Sequence, residues 1–161
     1  MTQIEKSHKS KSYYNYFIGD QNKWASNVHG YGEATLKEFY SGIDLKLIEK
    51  QEQLKYEFHV RPKMDPGQIR MNYRGKIQTS LDEAGNLIIK TPLGEIMEEA
   101  PYAYQIVNGN IREVECAFKL VDGLVTFDIG DYADYATLII DPVLVFATYA
   151  GSVTDLSLIH I

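Results

Sequence analysis

Two aspartates raise the question of chemistry first. Asp44 in SGIDLKL and Asp141 in IIDPVLV each stand among apolar residues. That setting partly buries a carboxyl and moves its pKa, as catalytic acids need. Two such acids flanking a sugar bond are the equipment of a glycoside hydrolase. The stronger assignment for both is structural. An aspartate beside Gly or Pro at a strand end accepts backbone N–H bonds and fixes a turn. The histidines His8, His29, His59 and His160 are scattered, with no His-x-His, His-x3-His or Cys-x2-Cys spacing, so no zinc site is expected. Calcium-loop spacing of acids is absent too. Cys116 shares its alternation with Val114 and Phe118 and reads as a core thiol, not a nucleophile. The glycines match neither a phosphate-binding loop nor a dinucleotide fingerprint, and no cofactor is expected. Twelve tyrosines, many of them in SYYNYF, PYAY and DYADY, allow two readings. They offer aromatic surface to sugars, or they serve as strand formers with an apolar body and a polar tip.

The elements that would position these residues are strands. In LKYEFHVR, Leu54, Tyr56, Phe58 and Val60 fall on one face; Lys55, Glu57, His59 and Arg61 fall on the other. This is the period of a half-buried antiparallel strand. IRMNYR repeats it with Ile69, Met71 and Tyr73 inward and Arg70, Asn72 and Arg74 outward. EVECAFKL repeats it with Val114, Cys116, Phe118 and Leu120, and VTFDI with Val125, Phe127 and Ile129. Turn signals separate the runs: KQEQ at 50–53, DPG at 65–67, DEAGN at 82–86, NGN at 108–110 and DG at 122–123. The expected fold is therefore all-β, an antiparallel sandwich or open-barrel-like sheet with little helix. Residues 13–30, rich in Tyr, Asn and Gly, show no clean period and are expected to pack as a loop anchored by Trp24.

Composition narrows the function classes. The chain has 161 residues, 45% hydrophobic and 24% charged, with net charge −6. That is enough for one cored domain and argues against disorder. Sixteen basic residues spread along an acidic chain do not favour nucleic acid, and KSHKSK belongs to a polar tail over 1–12. No apolar run approaches the ~20 residues of a membrane span, and the first twelve residues lack the apolar core of a signal peptide. A single cysteine excludes an internal disulfide.

Several stretches together carry a resemblance. WASNV, EFYSGIDLKL, LKYEFHVRPKMDPGQIRMNYRG, LDEAGNLIIKTPLGEIMEEAPYAYQ and LIIDPVLVFATYAGSVTD resemble a domain of unknown function that precedes β-propeller-type (SBBP) repeats. Such domains occur in bacterial secreted and surface proteins, including gliding-motility-associated ones. The matching positions are Tyr40 to Asp44 (with Ser41 where proline is usual), Tyr56 to Val60, Asp65–Pro66, Gly85 to Leu87, Thr91 to Glu95, Ala100 to Gln105 and Ile140 to Leu144. The resemblance implies an all-β module over 13–146, with Gly42, Asp44, Asp65, Pro66, Asp141 and Pro142 as structural residues. It also implies the start of a propeller-type repeat at 147–155. It further implies a secreted or cell-surface location, and partners in the C-terminal repeat domains of the same polypeptide. The rival reading is a carbohydrate-binding or adhesive module that takes cell-surface glycans on its tyrosines. LSLIHI, 156–161, does not continue the repeat and matches one reading frame of a sequencing adapter. It is expected to be a non-native scar on a chain cut at both ends, the alternative being a genuine terminal strand. Cys116 should resist thiol reagents in the folded protein and react on unfolding; rapid stoichiometric labelling of native protein would overturn its place in the core.

Overall fold

The alternation at 54–60 becomes a strand flanked on both sides. The computed structural model describes residues 3–50 and 53–147. Its strands are β1 (Ile4–Tyr16), β2 (Ala25–Tyr40), β3 (Ile43–Lys50), β4 (Gln53–Val60), β5 (Gln78–Leu81), β6 (Leu87–Thr91), β7 (Gly94–Val107), β8 (Asn110–Val114), β9 (Cys116–Val121), β10 (Leu124–Ile129) and β11 (Leu138–Ala147). Among the described residues the only helices are single 3-10 turns at Gln21–Lys23 and Pro66–Gln68. The main sheet runs β1-β2-β3-β4-β11-β7-β6-β5, with β8 also on β7, while β9 and β10 form a separate two-stranded sheet. All pairings are antiparallel and the sheet does not close into a barrel, so the sandwich-like, all-β expectation holds.

The core lies between the main sheet and the β9–β10 hairpin. Ile43, Leu45, Phe58, Val60, Leu138, Ile140, Ala103, Leu87 and Ile89 supply one side, and Phe118, Val125 and Phe127 the other. Phe58 is fully buried, its ring 5.7 Å from Tyr56 and 5.9 Å from Phe127 in edge-to-face contacts. The segment after β4 closes the side of this space. Asp65 accepts a hydrogen bond from the Gly67 N–H at 2.8 Å, and Pro66 is buried. Met71 then bridges Val125 through two backbone hydrogen bonds of 2.8 and 2.9 Å. Gln105, fully buried on β7, is satisfied by the 130s loop. Its amide donates to the Ala133 and Ala136 carbonyls and accepts from the Ala133 N–H.

Two backbone features fit their residue types. Gly42 ends the β2–β3 turn at φ +72°, and a Cβ there would lie 2.2 Å from Met64 Cγ. Only glycine meets both conditions without strain. Pro101 and Pro142, both buried, lie at the shift in β7–β11 register between the pairs Asp141↔Tyr102 and Val143↔Glu99. Proline inside a sheet belongs at such a break, where no ladder N–H is missed.

The structure departs from the sequence expectations in six places. EVECAFKL, expected as one strand, is divided at Glu115 between β8 of the main sheet and β9 of the hairpin. The polar tail is β1, a strand paired to β2 and exposed at every position. The expected 13–30 loop is the far part of the β1–β2 ribbon, and Trp24 is 44% exposed, stacked edge-on with Phe17 rather than anchored in a core. IRMNYR keeps its alternation but makes only the Met71 bridge, because the preceding 3-10 turn brings it in across the hairpin. Glu57, expected outside, is 9% exposed and Lys55 is half-buried, because neighbouring side chains roof the outer face. Asp141–Pro142 stands within β11 rather than at a strand-end turn. Ala147 ends β11; the rest of the expected repeat start, 148–155, and the expected scar, 156–161, lie outside the described residues.

Phe58→Ala should lower the free energy of unfolding by about 3–5 kcal/mol, since the vacated ring volume faces two aromatic neighbours that cannot close it. Urea unfolding curves that superimpose on the wild type would contradict this packing.

Candidate functional site

The outer face of the sheet, away from the hairpin, gathers most of the chain's polar side chains. It follows from the alternation: inward Ile43, Leu45, Phe58 and Val60 force Asp44, Lys46, Glu57 and His59 outward, and the register pairs Asp44 with His59 and Lys46 with Glu57. Ion pairs continue the pattern over five neighbouring strands, from β1 to β11. Lys37 bridges Glu5 at 3.4 Å and Asp44 at 3.0 Å. Lys46 meets Glu33 at 2.5 Å. Lys55 joins Glu57 at 3.5 Å and Asp141 at 2.6 Å, and His59 Nε2 lies 2.9 Å from Glu57.

Asp44 is the most heavily bonded of these acids. It accepts from the Glu38 backbone N–H at 2.9 Å, from Lys37 and from Arg61 at 3.1 Å. Glu38 in turn takes the Gly42 N–H at 2.8 Å and pairs with Arg61. Asp44, Glu38 and Gly42 together tie down the β2–β3 turn. Burial works against the ionised form of Asp44, but the Glu38 N–H and the two cations outweigh it and hold its pKa below the ordinary carboxylate value. For Glu57 the His59 hydrogen bond leads, burial opposes it, and the pKa is again lowered. Burial pushes the Lys55 amine down, yet its bond to Asp141 prevails and the pKa is raised.

This geometry bears on each candidate chemistry. Asp44 and Asp141 share a face but lie two strands and two residues apart in register, about 12 Å between Cα atoms at ordinary sheet spacings. Each is held by its own cations, Asp44 by Lys37 and Arg61 and Asp141 by Lys55. Ser7, His8 and Glu33 come together at the exposed edge, yet not as a catalytic relay. Ser7 Oγ donates directly to Glu33 at 2.7 Å, and the same His8 Nδ1 faces both Ser7 and Glu33. A relay needs the serine on one ring nitrogen and the acid on the other. Among the described residues no group of three or more His, Cys, Asp or Glu is placed to hold a metal ion, and no helix is long and apolar enough to cross a membrane. A groove of about 420 Å³ lies on this face, lined by Ser7, Glu33, Thr35, Lys37, Asp44 and Lys46. Of its lysines, Lys37 and Lys46 are paired with acids of the lining, while Lys6 lies over the Tyr31 ring.

The tyrosine groups separate in space. Tyr13, Tyr14 and Tyr16 are exposed on the β1–β2 ribbon, Tyr14 at 62%. Tyr102 and Tyr104 stack with centroids 5.5 Å apart on the outer face, and Tyr135 is exposed in the loop before β11 while Tyr132 packs against the core. Cys116 is half-buried beside that core, its thiol pushed up to about 12 by burial first and the Asp128 charge second.

One polar cluster escaped the sequence reading. Glu98 points into the core side at 4% exposure and accepts from Tyr56 Oη at 2.7 Å and Tyr73 Oη at 3.2 Å. Burial raises its pKa, and the two hydroxyl bonds only partly offset that. The signal that would have found it is the Ala100–Pro101 pair. Glu99 and Ala100 are consecutive exposed residues, so the inward positions are Ile96 and Glu98 before the break and Pro101, Ala103 and Gln105 after it.

A family model described as Domain of unknown function (DUF7948) matches residues 1–143. No curated protein and no solved structure matches the chain.

Because the folded pKa of Glu98 lies above its ordinary value of 4.5, its contribution favours folding most below that pH and is lost as pH rises through the folded pKa. Glu98→Gln, which does not ionise, should therefore gain stability relative to wild type between pH 5 and pH 7.5. Paired urea titrations showing a constant difference at the two pH values would refute the raised pKa of the buried Glu98.

Proposed function

Since the chain belongs to the family described as Domain of unknown function (DUF7948), we propose that it is a non-catalytic extracellular β-module. In this reading it supports or caps a following β-propeller-type repeat array in a bacterial surface or secreted protein. The observation that carries this reading is the place of β11. The strand leading towards the C-terminus is not an edge but lies in the middle of the sheet, between β4 and β7. β11 starts in the best-buried part of the molecule, at Leu138 and Ile140, which are almost wholly buried between β4 and β7, and runs on along β7 to Ala147. Repeat arrays end in apolar faces that need a separately folded terminal unit, and a central exit strand couples such a unit to the array more firmly than a frayed edge would.

A second reading, an adhesive or glycan-binding module, is favoured by the exposed Tyr13, Tyr14 and Tyr16 and by the polar groove of the outer face. Pull-down on immobilised cell-surface polysaccharide, with and without Tyr14→Ser, separates it from the first. Calorimetry tests the supporting role. In the longer polypeptide that carries the next domain, the module should melt several degrees higher than in the 161-residue chain, a shift of about 1 kcal/mol or more. Independent transitions at unchanged temperatures would reject it.

A further inference from the structure

The β1–β2 ribbon has a form that the fold itself does not require. The register matches Glu33 with Ile48, which sets Tyr31 level with Lys50, the last residue of β3. Residues 25–30 of β2 and their β1 partners run on past that point, about 20 Å at strand rise, with no third strand beside them among the described residues. A free two-stranded ribbon is marginal in water. This one also exposes Tyr14, Tyr16, Phe17, Ile18, Trp24 and Val28, with Ile18 at 81%. The aromatic residues occupy both faces. Tyr14 pairs with Val28 and stacks towards Tyr16, while Tyr13 pairs with His29 on the opposite face. A planar surface would bury only one face; a partner that covers both must be a shaped body.

Position narrows that partner. The part of the ribbon that projects past Lys50 carries Lys11 and Lys23 against Asp20, so its charge is nearly balanced and its exposed aromatic side chains dominate its surface. Pairing between the β1 edges of two copies would oppose Lys6, Lys9 and Lys11 to one another. Direction is set by the sheet. β11 runs antiparallel to β4, so Ala147 lies at the end where β3 turns into β4, the end past which the ribbon projects. Three strand spacings, about 14 Å, separate β2 from β11. A domain of ordinary size, with radius of gyration about 13 Å, rooted at Ala147 would meet the arm.

We propose that the β1–β2 ribbon is the docking arm for the domain that follows β11 in the same polypeptide, gripping an apolar ridge on that domain. This rests on the supporting role proposed above. Hydrogen–deuterium exchange tests it on the 161-residue chain and on the longer natural polypeptide carrying the next domain. Ribbon amides at 13–17 and 24–28 should exchange at least ~10-fold more slowly in the longer polypeptide. The triple variant Tyr14→Ser, Tyr16→Ser, Trp24→Ser should abolish that protection while leaving the melting of the 161-residue chain unchanged. If the module melts higher in the longer polypeptide but the ribbon stays unprotected, the docking assignment fails and the supporting role survives. If neither changes, both fail. Protection that appears only on raising protein concentration, or only on adding an acidic polysaccharide, overturns the assignment in favour of a second copy or a glycan.

Discussion

The register of β4 is the constraint on which the rest depends. Its neighbours fix it from both sides, Leu45 and Ile140 each opposite Phe58. With Phe58 inward, Glu57 and His59 must face out, where Lys46 and Lys55 are waiting. A slip of one residue would drive Glu57 against Phe127 and leave Phe58 among carboxylates. Tyr56 reaches Glu98 only because it shares the inward face. The hydrophobic core, the outer ion pairs and the buried acid are therefore three outcomes of one alignment rather than independent features.

The sequence revealed the parts of the fold in which one face is buried and the other wet. Tyr56 to Val60, Cys116 to Leu120 and Val125 to Ile129 showed their period because burial selects every second residue. The N-terminal ribbon hid for the opposite reason: it buries neither face, so no alternation marks it, and SYYNYF reads as loop composition. Glu57 shows a different limit. Alternation assigns a side chain to a face but does not say whether that face is roofed, and here long lysine stems and His59 lie over it. Glu98 was masked by the break at Pro101, which shifts the inward positions of β7 by one residue and gives a polar-looking stretch a buried acid.

The candidate residues divide in the same way. Gly42, Asp44, Asp65 and Pro66 were legible as structural because their chemistry is local: a positive φ, a turn amide, a fixed ring. Asp141 and Pro142 also read as structural, but as a strand-end turn; their actual surroundings, within β11, depend on Lys55 and on β7, both remote in sequence. A carboxylate with two cations and a backbone donor, as at Asp44, is held ionised and oriented. This suits it to holding strands in place and ill suits it to delivering a proton.

The central position of β11 has a mechanical side. Tension applied beyond Ala147 acts along a strand that is laced to β7 over most of its length and to β4 at its start. The ladder is then loaded in shear, many rungs at once, instead of being peeled one rung at a time as an edge strand would be. The opposite termination, β5, is four residues long and would yield first to a lateral pull. A chain carrying this module would therefore resist a pull along β11 and give way to forces across the sheet.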